Sequence, residues 1–281
     1  MSDNNFKNKV AVVTGAGGTL CSAMARYLAE KGAKVALLGR TLEKLQLVEQ
    51  QITARGGQAI SLAGDVTDEN RLKEIHQIVN EMLGKVDFLI NGAGGNQMEA
   101  ITNINEFDEK ELEGAEDIRG FFNVNMDAFR QVIDINTMGT VIPCQVFAED
   151  MAHKKAGAII NIASMTSYRP LSRVAAYAIA KAGIANFTSW LAAYLAPANI
   201  RVNAIAPGFF LNERSRARLT TEDGGFTPRG QNIINHTPAR RFGEADELLG
   251  TMHYLLDTEA AGFVTGITIP VDGGFLSQPG V

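Results

Sequence analysis

The chain has 281 residues, a net charge of −5 and a pI near 5.5, with 46% hydrophobic and 20% charged residues. That apolar content excludes a mostly disordered chain, and the acidic balance argues against a nucleic-acid surface or a basic membrane face. Two cysteines, Cys21 and Cys144, make no disulfide framework. No run approaches about 18 apolar residues and the polar start lacks the pattern of a signal peptide, so a cytoplasmic protein is expected.

The first buried strand is Lys9 to Thr14, a β-branched run followed by glycine. A helix over 19–31 follows, with Leu20, Met24, Tyr27 and Leu28 on one face and Gly32 ending it. Strands are expected at 35–38, 59–62 and 86–90, with amphipathic helices at 41–55 and 68–83. A long helix at about 127–152 contains Pro143, where a kink is expected. Strands at 158–162, 200–205 and 267–271 and a helix at 174–196 complete the pattern. This alternation predicts right-handed βαβ units: one α/β domain, a doubly wound parallel sheet with helices on both faces. Two polar segments break the rhythm. Residues 95–126 are expected as an insertion and 209–240 as a lid over a substrate; neither carries enough apolar surface for a core of its own.

Thr14-Gly15-Ala16-Gly17-Gly18-Thr19-Leu20 joins the first strand to the first helix. Glycines allow close approach to a pyrophosphate, and the helix start offers free N–H groups and the positive end of its dipole. A dinucleotide is the expected ligand of Gly15, Gly17, Gly18, Thr19 and Leu20. The second strand ends in Gly39-Arg40, without the carboxylate that would take the ribose hydroxyls. Arg40 suits a 2′-phosphate, so NADP is expected over NAD.

Tyr177 and Lys181 lie four apart at the start of a long helix and share a face. Ser164 ends the preceding strand and Asn136 lies on the earlier long helix. An ammonium beside a phenol favours the phenolate, which suits proton transfer at a carbinol oxygen, and a nearby hydroxyl holds that oxygen. The four histidines show no metal-ligand spacing, so no zinc site is expected. His76 and His153 read as exposed, His253 as near the core and His236 as part of the lid. The acidic run from Asp108 to Asp117 reads as a solvated face and Cys144 as a small core residue.

Over essentially its full length the chain resembles the short-chain dehydrogenase/reductase family, a Rossmann-type fold. The resemblance rests on Thr14-Gly15…Gly18, Asp65-Val66, Asn91-Gly92-Ala93-Gly94, Asn136, Ser164, Tyr177-Ala178-Ile179-Ala180-Lys181, Pro207-Gly208 and Val271-Asp272-Gly273-Gly274. It implies Tyr177 as general acid/base, Lys181 lowering its pKa and binding the nicotinamide ribose, and Ser164 polarising the carbonyl. Asn136 would order a water in a proton relay. Asp65 and Val66 would contact the adenine, Asn91, Ala93 and Gly94 would line the cofactor cleft, and Pro207 and Gly208 would flank the nicotinamide. A homotetramer is also implied. The chain departs from the family at Thr19 and Cys21, which replace two loop glycines, at Gly92, which replaces an asparagine, and at Asn212, which replaces a frequent threonine.

Within the family, the insertion and stretches such as Ala206-Pro207-Gly208-Phe209-Phe210-Leu211 and His236-Thr237-Pro238 are similar to a branch that interconverts D-fructuronate and D-mannonate. A sugar-acid substrate is implied, with Asn96, Arg169 and Arg173 as contacts and Arg214, Arg216 and Arg218 as further candidates for its carboxylate. The alternatives are a reductase for another ketone (another sugar acid, a polyol or a 3-oxoacyl thioester) and, from another class, a catalytically idle nucleotide-binding regulator.

Overall fold

A computed structural model of the chain describes residues 6–115 and 117–278, apart from the side chains at 213 and 214. Its frame is a seven-stranded, all-parallel sheet in the order β3-β2-β1-β4-β5-β6-β7. The strands are β1 (Val10–Thr14), β2 (Lys34–Gly39), β3 (Gln58–Ala63), β4 (Phe88–Asn91), β5 (Gly157–Ile162), β6 (Ile200–Pro207) and β7 (Thr268–Val271). The helices are α1 (Thr19–Glu30), α2 (Leu42–Thr53), α3 (Glu69–Met82), α4 (Met126–Lys154), α5 (Ala175–Leu195), α6 (Glu213–Leu219), α7 (Pro228–His236) and α8 (Leu249–Leu256). The expected α/β architecture is present. α4 runs on through Pro143, whose missing N–H leaves the Gly139 carbonyl without its helical donor.

Side-chain alternation along the strands divides the core in two. Ala11 and Val13 face a cluster with Met24 and Leu28 of α1, Leu45 of α2 and Met252 of α8. Val10 and Val12 face Leu72 and Ile75 of α3, Phe147 of α4 and Leu191 of α5. Helices therefore cover both faces, and β1, with β2 on one side and β4 on the other, marks where the winding reverses.

The two irregular segments are more ordered than their polarity suggests. Residues 209–240 hold α6 and α7, and Leu219, Ile233, Ile234 and Phe242 pack with Phe209 and Leu211 into a small cluster. The apolar residues of the segment are few, but they gather where its two short helices meet. Asn212, at a departure from the family pattern, caps α6 by accepting from Ser215 N at 2.9 Å. In residues 95–126, Ala100 packs against Ala128, Val132 and Ala176, next to Tyr177. Glu111 is buried, its carboxylate accepting from the Phe122 and Asp108 N–H groups. The acidic run is thus not wholly a solvated face.

His76 also departs from expectation. Its side chain is 13% exposed and bonds Asp150 at 2.8 Å, while its ring lies edge-on to Phe147. Asp150, 2% exposed, also meets Lys85 Nζ at 3.0 Å and accepts from Val86 N at 3.1 Å. Burial raises its pKa, but the bonds to His76, Val86 and Lys85 outweigh that and hold the carboxyl below its ordinary value. A depressed carboxyl stabilises the fold above its unfolded pKa of about 3.9 and loses that contribution as pH falls through the folded value. Asp150→Asn is expected to cost about 2–4 kcal/mol near neutrality. The Tm gap between variant and wild type should narrow as pH falls below about 4, as measured by thermal melts.

Candidate active site

The expected phosphate loop lies at the winding reversal. Gly15 has φ +68°, and a Cβ there would sit 2.8 Å from Ala93 N and 2.9 Å from Ala93 Cα, so glycine is required by both conformation and the close crossing of β1 and β4. Gly18 is the N-cap of α1 and no side chain caps the helix. The first N–H groups of α1, around Thr19 and Leu20, are left for an anion at the positive end of the dipole. Glycine at three of the loop positions and an uncapped helix fit a pyrophosphate. Thr14, not singled out as a site residue from the sequence, ties the loop to β4: its hydroxyl accepts from Gly92 N at 3.0 Å and Ala93 N at 3.1 Å.

Cys21 and Gly92, both departures from the family pattern, are in contact. A Cβ on Gly92 would fall directly on Cys21 Sγ. The thiol fills the space that a side chain at 92 would need, so the two departures compensate. Cys21 is buried, which pushes its thiol up to about 12, so it is an inert packing group.

Asp65 accepts from Thr67 N at 2.9 Å and Thr67 Oγ1 at 2.7 Å. Burial raises its pKa, but these bonds and the Arg40 charge hold it below the ordinary value. Arg40, exposed at the end of β2, is thus electrostatically coupled to Asp65, beside the buried Val66. The Asn91 side chain turns into the protein, donating to Asn161 Oδ1 at 2.9 Å, so it braces β4 against β5. Gly208 crosses so close to Asp272 that a Cβ would lie 2.6 Å from the Asp272 Cα, which fixes the Pro207-Gly208 turn.

The four catalytic candidates converge at the ends of β4 and β5. Lys181 is 4% exposed; its Nζ donates to Ile162 O at 2.7 Å and lies 5.5 Å from the centroid of the Tyr177 ring. Burial pushes the lysine down to about 8. Tyr177 is raised above its ordinary value because burial outweighs its hydrogen bond with Ser164. The family resemblance implies a phenol lowered by the lysine; in the protein alone the balance runs the other way. Ser164 Oγ accepts from Thr166 N at 3.2 Å, which leaves its proton free for Tyr177 or a substrate oxygen.

Asn136 is fully buried. Its Nδ2 donates to Gly95 O at 2.7 Å and Val132 O at 2.8 Å, and its Oδ1 accepts from Gly95 N at 3.2 Å. These bonds occupy the amide, so the side chain fastens the 94–95 turn. Gly94 must be glycine here, since a Cβ would fall on Asn136 Oδ1 and 3.7 Å from Lys181 Nζ.

The substrate candidates are scattered. Asn96 is half-buried, its Oδ1 accepting from Gln97 N at 3.0 Å. Arg169 is exposed and donates to Gln278 O at 3.1 Å, which ties it to the C-terminal segment. Arg173 is half-buried, with Nε donating to Thr102 O at 2.6 Å. Arg216 is exposed, and the side chain of Arg214 lies outside the described residues. His236 is exposed and bonds Asn232 O at 2.8 Å. His253 bonds the Tyr27 hydroxyl at 3.1 Å, near the core as expected. Among the described residues no three His, Cys, Asp or Glu side chains are grouped to hold a metal, and no helix is long and apolar enough to cross a membrane.

The arrangement is that of a nicotinamide-dependent oxidoreductase: a dinucleotide crevice ending at a Ser-Tyr-Lys group in which Ser164 and Lys181 are buried and Tyr177 is half-buried. The family profile for short chain dehydrogenases matches residues 9–223, and the chain belongs to that family. It is an NAD(P)-dependent dehydrogenase acting on CH–OH groups. The uncharacterized oxidoreductase UxuB of Bacillus subtilis is 47% identical over 277 residues, 99% of this chain and 98% of that protein. A 2-dehydro-3-deoxy-D-gluconate 5-dehydrogenase of Formosa agariphila is 32% identical over 277 residues, 98% of this chain and 96% of that one. Among solved structures, a candidate D-mannonate oxidoreductase of Haemophilus influenzae with bound NAD matches with a TM-score of 0.94 at 40% identity, covering 99% of each chain.

The Cys21–Gly92 contact makes a double-mutant cycle informative. Gly92→Ala should destabilise wild type by about 1–3 kcal/mol through overpacking. In a Cys21→Ala background most of that cost should vanish, giving a coupling of about 1 kcal/mol or more in denaturant melts.

Proposed function

We propose that this enzyme interconverts a keto sugar acid and its hydroxy acid, of the D-fructuronate/D-mannonate type. The observation that carries the reaction is the buried Lys181, whose Nζ lies 5.5 Å from the centroid of the Tyr177 ring beside the strand end that carries Ser164. The sugar-acid class is supported by the Formosa and Haemophilus proteins, whose substrates are named as such acids. The bound nicotinamide supplies the hydride chemistry. Tyr177, protonated at neutral pH, donates its proton to the ketone oxygen on reduction and takes it back on oxidation. Ser164 donates a hydrogen bond to the same oxygen and holds it as charge develops. Lys181 keeps a positive charge below the phenol and faces the nicotinamide ribose; Asn136 positions the Gly94-Gly95 turn beside it.

Gly15, Gly17, Gly18, Thr19 and Leu20 cradle the pyrophosphate, Asp65 and Val66 meet the adenine, and Ala93, Gly94, Pro207 and Gly208 border the nicotinamide. NADP is the preferred cofactor, supported by the absence of a carboxylate at Gly39 and by the exposed guanidinium of Arg40. Residues 209–240 act as a lid, and Asn96 meets sugar hydroxyls. The exposed Ile179, Trp190 and Tyr194 on α5 support packing between subunits of a homotetramer.

Nicotinamide absorbance during reduction of D-fructuronate, with NADH and NADPH compared, tests this reading. Tyr177→Phe should lose about 100-fold or more in kcat while still binding cofactor. Cofactor binding without turnover of any keto sugar acid would overturn the substrate class. Arg40→Ala should raise the KM for NADPH relative to that for NADH about tenfold, or ~1.4 kcal/mol; an unchanged ratio would remove Arg40 from cofactor selection.

A further inference from the structure

Tyr177 stands in the first turn of α5, and that turn has no cap of its own. Val174, the N-cap residue, offers it no side-chain bond, and no acidic residue stands in the turn. A helix end of this kind frays unless something outside the helix holds it. The connection that leads into it is fastened in two halves. Near Ser164, Ser167 Oγ donates to Lys181 O at 2.7 Å, and the Tyr168 hydroxyl donates to Thr268 O at 2.5 Å. Near Tyr177, the fastening comes from the insertion.

Arg173 has φ +76°, in the left-handed region that favours glycine and is costly for a residue with a Cβ. Two bonds to one residue of the insertion keep it there: Nε donates to Thr102 O at 2.6 Å, and Arg173 O accepts from Thr102 N at 3.1 Å. Thr102 is itself held by its neighbours. Arg119 Nε donates to Ile101 O at 2.6 Å, Arg119 N donates to Asn103 Oδ1 at 2.7 Å, and Arg119 O accepts from Asn103 N at 2.8 Å. Close by in the insertion, Ala100 is buried in a cluster with Ala128, Val132 and Ala176, against which Tyr177 packs. The insertion therefore grips the start of α5 twice, at Arg173 and at Ala176, the residue before Tyr177.

We propose that the insertion acts as the cap that α5 lacks, and that Arg173 is a positioning residue which, through Thr102, sets Tyr177 at the reacting oxygen. The bond from Nε to Thr102 O offsets the cost of the left-handed backbone. Without that bond the backbone at 173 relaxes and the first turn of α5 is released. Proton transfer depends on close placement of the phenol, so the loss falls on kcat. The cofactor, bound by the glycine loop at the other end of the crevice, is held as before. This role rests on the reaction of the family and not on the choice of substrate.

Two substitutions separate this role from the substrate contact expected for Arg173. Arg173→Ala keeps the costly φ and loses the bond that offsets it; Arg173→Gly loses the bond but adopts the same φ freely. The readouts are the kinetics of D-fructuronate reduction, with NADPH and NADH in turn, and hydrogen exchange of the cofactor-loaded protein at the amides of residues 178–180. Arg173→Ala should lower kcat at least tenfold, leave the KM for the cofactor unchanged and speed exchange at 178–180 at least tenfold. Arg173→Gly should recover most of both, the reverse of the usual order of these two residues. Thermal melts verify that both variants fold. Wild-type kcat and exchange in the alanine variant, or a glycine variant no better than the alanine one, overturns the proposal. A loss confined to the KM for D-fructuronate assigns Arg173 to the substrate instead. Exchange needs no substrate: if it quickens in Arg173→Ala and recovers in Arg173→Gly while the wild type reduces no keto sugar acid, the clamp stands and the substrate class of the proposed function falls.

Discussion

The site depends on a constraint of the parallel sheet: every strand ends on the same side. With β1 flanked by β2 and β4, the helices that follow them leave towards opposite faces and a crevice opens between their starts. Thr14 closes the floor of that crevice by taking two N–H groups of the next strand's end. The Asn91–Asn161–Thr188 chain of side-chain bonds continues the bracing to β5 and α5. The loop glycines, the Gly94-Gly95 turn, Ser164 and the Pro207-Gly208 turn all occupy this one edge because the topology leaves them nowhere else.

The second determinant is burial of charge. Lys181 is held in the interior by one carbonyl, that of Ile162, and desolvation lowers it to about 8. The same desolvation raises Tyr177. A raised phenol keeps its proton at neutral pH, which suits the donor role in ketone reduction. Asn136 contributes rigidity: with its amide spent on Gly95 and Val132, it fixes the turn that borders both Lys181 and the crevice.

The irregular segments show how polar stretches become structural. Glu111 is buried because it serves the Phe122 and Asp108 N–H groups, and Asn212 replaces a common threonine as a helix cap. Arg173 ties the insertion to the connection between Ser164 and Tyr177 through its two bonds with Thr102. The proton-transfer group, by contrast, stands on the helix and strand ends of the sheet.

Short-range physics made the strands, the major helices, the glycine loop and the Tyr177–Lys181 pair legible in the sequence by itself, since each depends on local periodicity or on spacing within one element. The tertiary structure alone decided the rest. His76 meets Asp150 across 74 positions, Cys21 compensates Gly92 from another βα unit, and Arg173 bonds Thr102 of the insertion. Alternation and spacing carry no information about which distant side chain will be opposite. Whether a histidine is buried, or which turn an asparagine fastens, is settled only when separate elements pack together.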